Sequence, residues 1–136
     1  RECLIDYIVR DHSHHLPYEI NQELLYAPYG NSTLEIAVAV AVESLIHEGG
    51  AEPDVLARLF SYNVSQKFNI PYGRLNEGDE ANITVIDPWR SREVTRKTFV
   101  GRAYNSPFLG YKLRGFPSTM VSRGYLVMEG GELSLE

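Results

Sequence analysis

Asp11, His12, His14 and His15 fall together in one short stretch, and the remaining histidine of the chain is His47. Neutral imidazole and carboxylate both suit zinc, and imidazole moves protons near neutral pH. A cluster of this composition can serve as a metal or acid–base site. It can equally be a solvated polar loop, and its spacing matches no compact finger-type pattern. An Asp in such a site could hold a metal and also take the proton of an attacking water.

The elements around the cluster give it a position. Residues 4–9, Leu-Ile-Asp-Tyr-Ile-Val, form a short, apolar, β-branched run of the kind found in buried parallel strands. Asp11 would then stand just beyond the C-terminal end of a strand, where parallel α/β barrels carry their chemistry. Residues 17–27 show no clear period and read as a long loop. Pro28-Tyr29-Gly30-Asn31 is turn chemistry. Ser32-Thr33-Leu34-Glu35 has the spacing of a capping box, so a helix is expected over about 33–47, closed by Gly49-Gly50. Its all-round apolar character predicts burial. Pro53 suits the first position of another helix, with Val55, Leu56, Leu59 and Phe60 along one stripe. Asn63 is expected to cap a short helix after it. From Pro71 onward, turn signals alternate with β-rich runs at 82–86, 93–100 and 118–128, the last broken at Arg123-Gly124. The chain thus divides into an α/β part, 1–70, and a β-rich part, 71–136.

Composition narrows the function classes. With 136 residues, 43% hydrophobic and 23% charged, the chain has the make-up of a soluble globular protein. A net charge of -5 argues against nucleic acid as a partner. The longest apolar stretch, 36–42, is far below the roughly 18 residues of a membrane span. Cys3 is the single cysteine, so no disulfide forms within the chain. That fits a reducing, cytoplasmic setting, and Cys3 reads as a core residue. Arg92, Arg96, Lys97 and Arg102 read as a solvated strand face, Trp89 as a packing residue beside a turn, and His47 as a partner for helix-end carbonyls.

An ordered series of motifs resembles the type I dihydroorotases, metal-dependent cyclic amidases of the amidohydrolase superfamily. Asp11-His12-Ser13-His14-His15 is similar to the family's Asp-His-Ala-Pro-His segment. Ala27-Pro28-Tyr29-Gly30 with Leu34-Glu35 is similar to its Ala-Pro-Phe-Gly and Leu-Glu segment. Tyr62-Asn63, the stretch from Gly73 to Gly78, and Asp79-Glu80-Ala81-Asn82-Ile83-Thr84-Val85-Ile86-Asp87-Pro88 resemble further elements in the same order. So do Asn105-Ser106-Pro107-Phe108-Leu109-Gly110 and Val121-Ser122-Arg123-Gly124.

The resemblance implies an α/β fold: the last strand and helices of a TIM barrel, followed by a β-rich, sandwich-like module. It implies zinc as cofactor, with Asp11 as a metal ligand and general base. It implies that His15 donates to the carboxylate of a small-molecule substrate, and that backbone around Pro28 and Gly30 holds the same carboxylate. The implied reaction interconverts dihydroorotate and N-carbamoyl-aspartate in pyrimidine biosynthesis. A hydantoinase- or allantoinase-type cyclic amidase, and a non-catalytic amidohydrolase-like scaffold chain, stand as alternatives. Arg10 and His14 depart from the family pattern, which has Thr or Ser and Pro there, and Thr33 stands where a Gly is usual. The family's His-x-His motif, bridging Lys and further metal histidines have no counterpart in this sequence. A barrel of eight strands needs about 250 residues. The rest is therefore expected from the remainder of the amidohydrolase chain or from a partner chain, with open strand edges favouring association into an oligomer.

Overall fold

A computed structural model describes residues 4–134; Cys3 lies outside them. Two long helices and a set of short antiparallel strands make up the fold. The first long helix, 34–48, runs on through a 3-10 turn at Leu34–Ile36, an α-helical stretch at Ala37–Ala41 and a π-helical stretch at Val42–Glu48. Its alternating Ala and Val could pass for a strand, yet alanine is the strongest helix former, and helical winding gives the run two useful faces. Ile36, Ala39 and Val40 pack with Val94, Phe99, Leu113 and Phe116. Val38, Ala41, Val42, Leu45 and Ile46 pack with Leu56, Phe60 and Ile86. These are the i, i+3, i+4 spacings of opposite helix faces. Ile36 and Val42 are fully buried, each worth about 1.5–3 kcal/mol of apolar transfer. Both cores draw on residues from either side of residue 71.

The second long helix, 54–68, begins after Pro53 and continues through Asp54–Ala57, Arg58–Tyr62 and Asn63–Phe68. Asn63 lies inside it rather than capping a separate helix, and its Nδ2 donates to the carbonyl of Asp6.

The main sheet has four strands in the order β1 (Ile83–Ile86), β4 (Pro117–Ser122), β5 (Tyr125–Glu129) and β6 (Glu132–Leu133), all antiparallel. β2 (Ser91–Glu93) and β3 (Lys112–Arg114) form a separate antiparallel pair. The break expected at Arg123-Gly124 is the turn between β4 and β5. Both residues have positive φ, 51° and 81°, the backbone of a two-residue turn whose twist matches a hairpin. The strand expected at 93–100 does not form beyond Glu93, the last residue of β2; a 3-10 turn at Arg96–Thr98 takes its place, closed by Thr95 N–H donating to Thr98 Oγ1 at 3.0 Å.

Residues 4–9 form no strand. Leu4 is 89% exposed, and the backbone of this stretch bonds to the second helix instead, through Ile8 N–H and the Leu59 carbonyl at 2.9 Å. A parallel strand takes its hydrogen bonds from strands on either side, and no described residues flank this stretch as strands. The loop expected at 17–27 contains a short helix, Pro17–Ile20. Pro17 opens it, and Glu19 accepts a hydrogen bond from Leu16 N–H at 2.6 Å.

Candidate active site

The two segments singled out by residue type meet in space. The His15 ring reaches the Tyr29 carbonyl, with Nε2 at 3.1 Å from the oxygen. A carbonyl oxygen only accepts, so Nε2 carries the proton. Gly30 has φ of 120° and lies against Ser13; a Cβ placed on it would fall 2.2 Å from Ser13 Cβ. Glycine is therefore required there by both backbone conformation and space. Pro28 is half-buried beside it, while Tyr29 points outward at 95% exposure. The 11–15 and 28–30 segments thus touch at two points, His15 on Tyr29 and Ser13 on Gly30.

His12 has a different task from the one its cluster suggested. Its Nδ1 accepts from Thr33 N–H at 3.4 Å and from Leu34 N–H at 3.3 Å, the free donors at the start of the first long helix. The expected capping box does not form. Ser32 Oγ donates to Asn105 Oδ1 at 2.7 Å, and Glu35 Oε1 accepts from Val100 N–H at 3.3 Å. The cap requires the neutral ring with its proton on Nε2. His14 stacks on His12 with ring centroids 5.4 Å apart.

Asp11 is exposed, and among the described residues it has no hydrogen-bond or ion-pair partner. Arg10, beside it, is also exposed and forms no ion pair with it. The three clustered histidines line a cleft of about 590 Å³ with Glu19, Glu35 and Arg102. A larger hollow of about 920 Å³ lies between the two long helices and β1; its walls include Val38, Leu56, Phe60, Ile83 and Ile86, and none of the candidate site residues.

The donor set does not fit a complete zinc site. His12 holds a helix end and His15 holds the Tyr29 carbonyl, which leaves Asp11 as a free carboxylate. Among the described residues, no group of three or more His, Cys, Asp or Glu side chains could hold a metal ion, and structural or catalytic zinc takes at least three protein ligands.

Asn105 was missed as a site residue by reading the sequence. It lies 75 residues from Gly30, yet its side chain donates to the Gly30 carbonyl at 3.1 Å. Nothing in one Asn of a Tyr-Asn-Ser-Pro stretch announces such a contact. His47 also differs from expectation, whereas Arg92, Arg96, Lys97 and Arg102 are exposed as a solvated face requires, although only Arg92 lies in a strand. His47 Nε2 bonds the Pro88 carbonyl at 2.7 Å, not its own helix end, and the ring meets Trp89 edge-on at 5.0 Å. Trp89, 71% exposed, packs there beside the turn held by Asp87. Arg92 lies over the Phe116 ring at 4.3 Å and Arg96 over Tyr104 at 4.8 Å. Burial, reinforced by the charge of Arg90, draws the Arg92 pKa below its ordinary value. No helix among the described residues is long and apolar enough to cross a membrane.

No family model matches the chain. In sequence it is 32% identical over 133 residues to a dihydroorotase of Bacillus licheniformis, covering 98% of this chain and 31% of that protein. It is 34% identical over 129 residues to a dihydroorotase of Carboxydothermus hydrogenoformans, covering 94% of this chain and 30% of that one. In structure it is similar to an L-hydantoinase (dihydropyrimidinase) from Arthrobacter aurescens, with a TM-score of 0.85 and 25% identity over 97% of this chain and 30% of that one. A D-hydantoinase from Thermus sp. has the same fold, with a TM-score of 0.85 at 20% identity. The chain spans about 30% of the length of the curated relatives it matches. Over nearly its whole length the chain is similar in sequence to proteins named dihydroorotase, and in its mixed helix-and-sheet fold to hydantoinases.

Proposed function

We propose that this chain is the C-terminal part of a zinc-dependent dihydroorotase of the cytoplasm, interconverting dihydroorotate and N-carbamoyl-aspartate in pyrimidine biosynthesis. The observation that carries the reading is the joining of His15 to the Pro28–Gly30 turn through the Tyr29 carbonyl. It gathers an imidazole and a glycine-containing turn into one place suited to a carboxylate. Asp11, four residues before His15, would stand at the reacting end of the substrate. Its carboxylate would accept the proton of the attacking water and return it to the leaving ring nitrogen. Asp11 would also give one ligand to zinc. The other ligands would come from the remainder of the amidohydrolase chain or from a partner chain, as would the barrel strands.

In this reading residues 1–70 belong to the barrel and 71–136 to the β-rich module beside it. β1 and β6 are the outer strands of the main sheet. The free side of β1 would accept a strand from the missing part or from a second subunit.

A hydantoinase-type activity is the second reading, favoured by the likeness of the fold to hydantoinases. The two differ in substrate charge, because a hydantoin ring without a carboxylate has no use for the His15 and Gly30 groups. Turnover of dihydroorotate, hydantoin and allantoin by the complete protein decides between them. The proposal expects kcat/KM to be highest for dihydroorotate. A preference for either neutral ring would overturn it.

A further inference from the structure

We propose that Asn105 is a positioning residue for the substrate-carboxylate site, setting the distance between the His15 loop and the Gly30 turn. The inference rests on the dihydroorotase reading and adds to it a residue from the β-rich part. Asn105 makes four hydrogen bonds to the two loops. Its backbone carbonyl accepts from Ser32 N–H at 2.9 Å. Its Oδ1 accepts from Ser32 Oγ at 2.7 Å and from His15 N–H at 3.4 Å. Its Nδ2 donates to the Gly30 carbonyl at 3.1 Å.

Two of these partners fix the amide's orientation. The His15 N–H can only donate, so it must face the amide oxygen; the Gly30 carbonyl can only accept, so it must face the nitrogen. A flipped amide would lose both. Asp keeps the acceptor but sets a negative oxygen against the Gly30 carbonyl. Ala loses every side-chain bond. The clamp is anchored, because Ala103 is buried just before it and Tyr104 and Phe108 pack against the core around Ile36 and Phe116.

All of these contacts lie at the carboxylate end of the proposed site, and none goes to Asp11. Loss of the clamp should therefore weaken binding of substrate and transition state alike, which raises KM and leaves kcat near its original value.

The test is steady-state kinetics of the complete protein with dihydroorotate, comparing wild type, N105A and N105D, with melting temperature measured alongside. Both variants are expected to raise KM by about tenfold or more while kcat stays within about threefold. A purely structural role would instead lower the melting temperature and leave KM untouched. An unchanged KM in both variants, beside a wild type that turns over, overturns this assignment alone. A wild type with no turnover of dihydroorotate overturns the dihydroorotase reading and this assignment with it. Should N105A fail to fold, N105D and S32A decide by the same KM criterion.

Discussion

His15 Nε2 and the Tyr29 carbonyl lie 3.1 Å apart, so the imidazole spends one of its two nitrogens on the chain itself. Nε2 holds its proton for that carbonyl. A substrate carboxylate must then take the Nδ1 proton of the imidazolium or compete for Nε2. The histidine thus arrives at the site already oriented by the turn that is proposed to share its ligand.

Replacing His15 by Ala should raise KM for dihydroorotate by about tenfold to a hundredfold, the worth of one charge-assisted hydrogen bond. The fall in kcat should be smaller, because the lost contact exists before and during the reaction. Initial-rate measurements over a range of substrate concentrations check this. An unchanged KM would remove His15 from the substrate site.

His12 should matter for stability more than for chemistry. Its Nδ1 receives Thr33 and Leu34 N–H at 3.3–3.4 Å, distances at the long end for a hydrogen bond. His12→Ala should cost about 0.5–1 kcal/mol, the lower part of the range for lost helix caps. A urea titration of the complete protein measures it. A large fall in kcat with unchanged stability would mean that His12 acts on substrate instead.

Glu43 of the first long helix receives Arg114 Nε at 3.1 Å and the Arg114 backbone N–H at 3.3 Å, and its carboxylate also pairs with Nη2. The hydrogen bond from the Arg114 side chain is the main cause that holds the Glu43 carboxyl below its ordinary value of 4.5. A depressed carboxyl stabilises the fold fully above the unfolded value and loses that contribution as pH falls through the folded one. Glu43→Gln should therefore lower the melting temperature near neutral pH, and the gap to wild type should close in the acid range below 4.5. Melting temperatures at a series of pH values test this. A gap independent of pH would show that the pair's charge does not contribute.

Legibility in the sequence followed how local each determinant was. Arg123-Gly124 was readable because the turn needs nothing beyond its own two residues in positive φ. The first long helix was readable from its length and its closing glycines, although the reason given for its start was wrong. Ser32 and Glu35 have the capping-box spacing, yet Asn105 and Val100 claim their side chains, and an imidazole 21 residues upstream serves as the cap. The run at 4–9 was apolar enough for a buried strand, but strand formation depends on neighbours, and the described residues supply none. The pairing of the His15 loop with the Gly30 turn could be expected only through family resemblance. Asn105 was invisible even so, because its role arises from contacts across 73 to 90 residues of chain.

The central claim is that Asp11 moves the proton in hydrolysis of a cyclic amide. The most direct measurement is the turnover of dihydroorotate by Asp11→Asn in the complete protein, with circular dichroism recorded on the same sample. The account predicts a native-like spectrum and a loss of about a hundredfold to ten-thousandfold in kcat, the usual worth of a positioned acid–base group. Turnover close to wild type from a folded Asp11→Asn protein would contradict it.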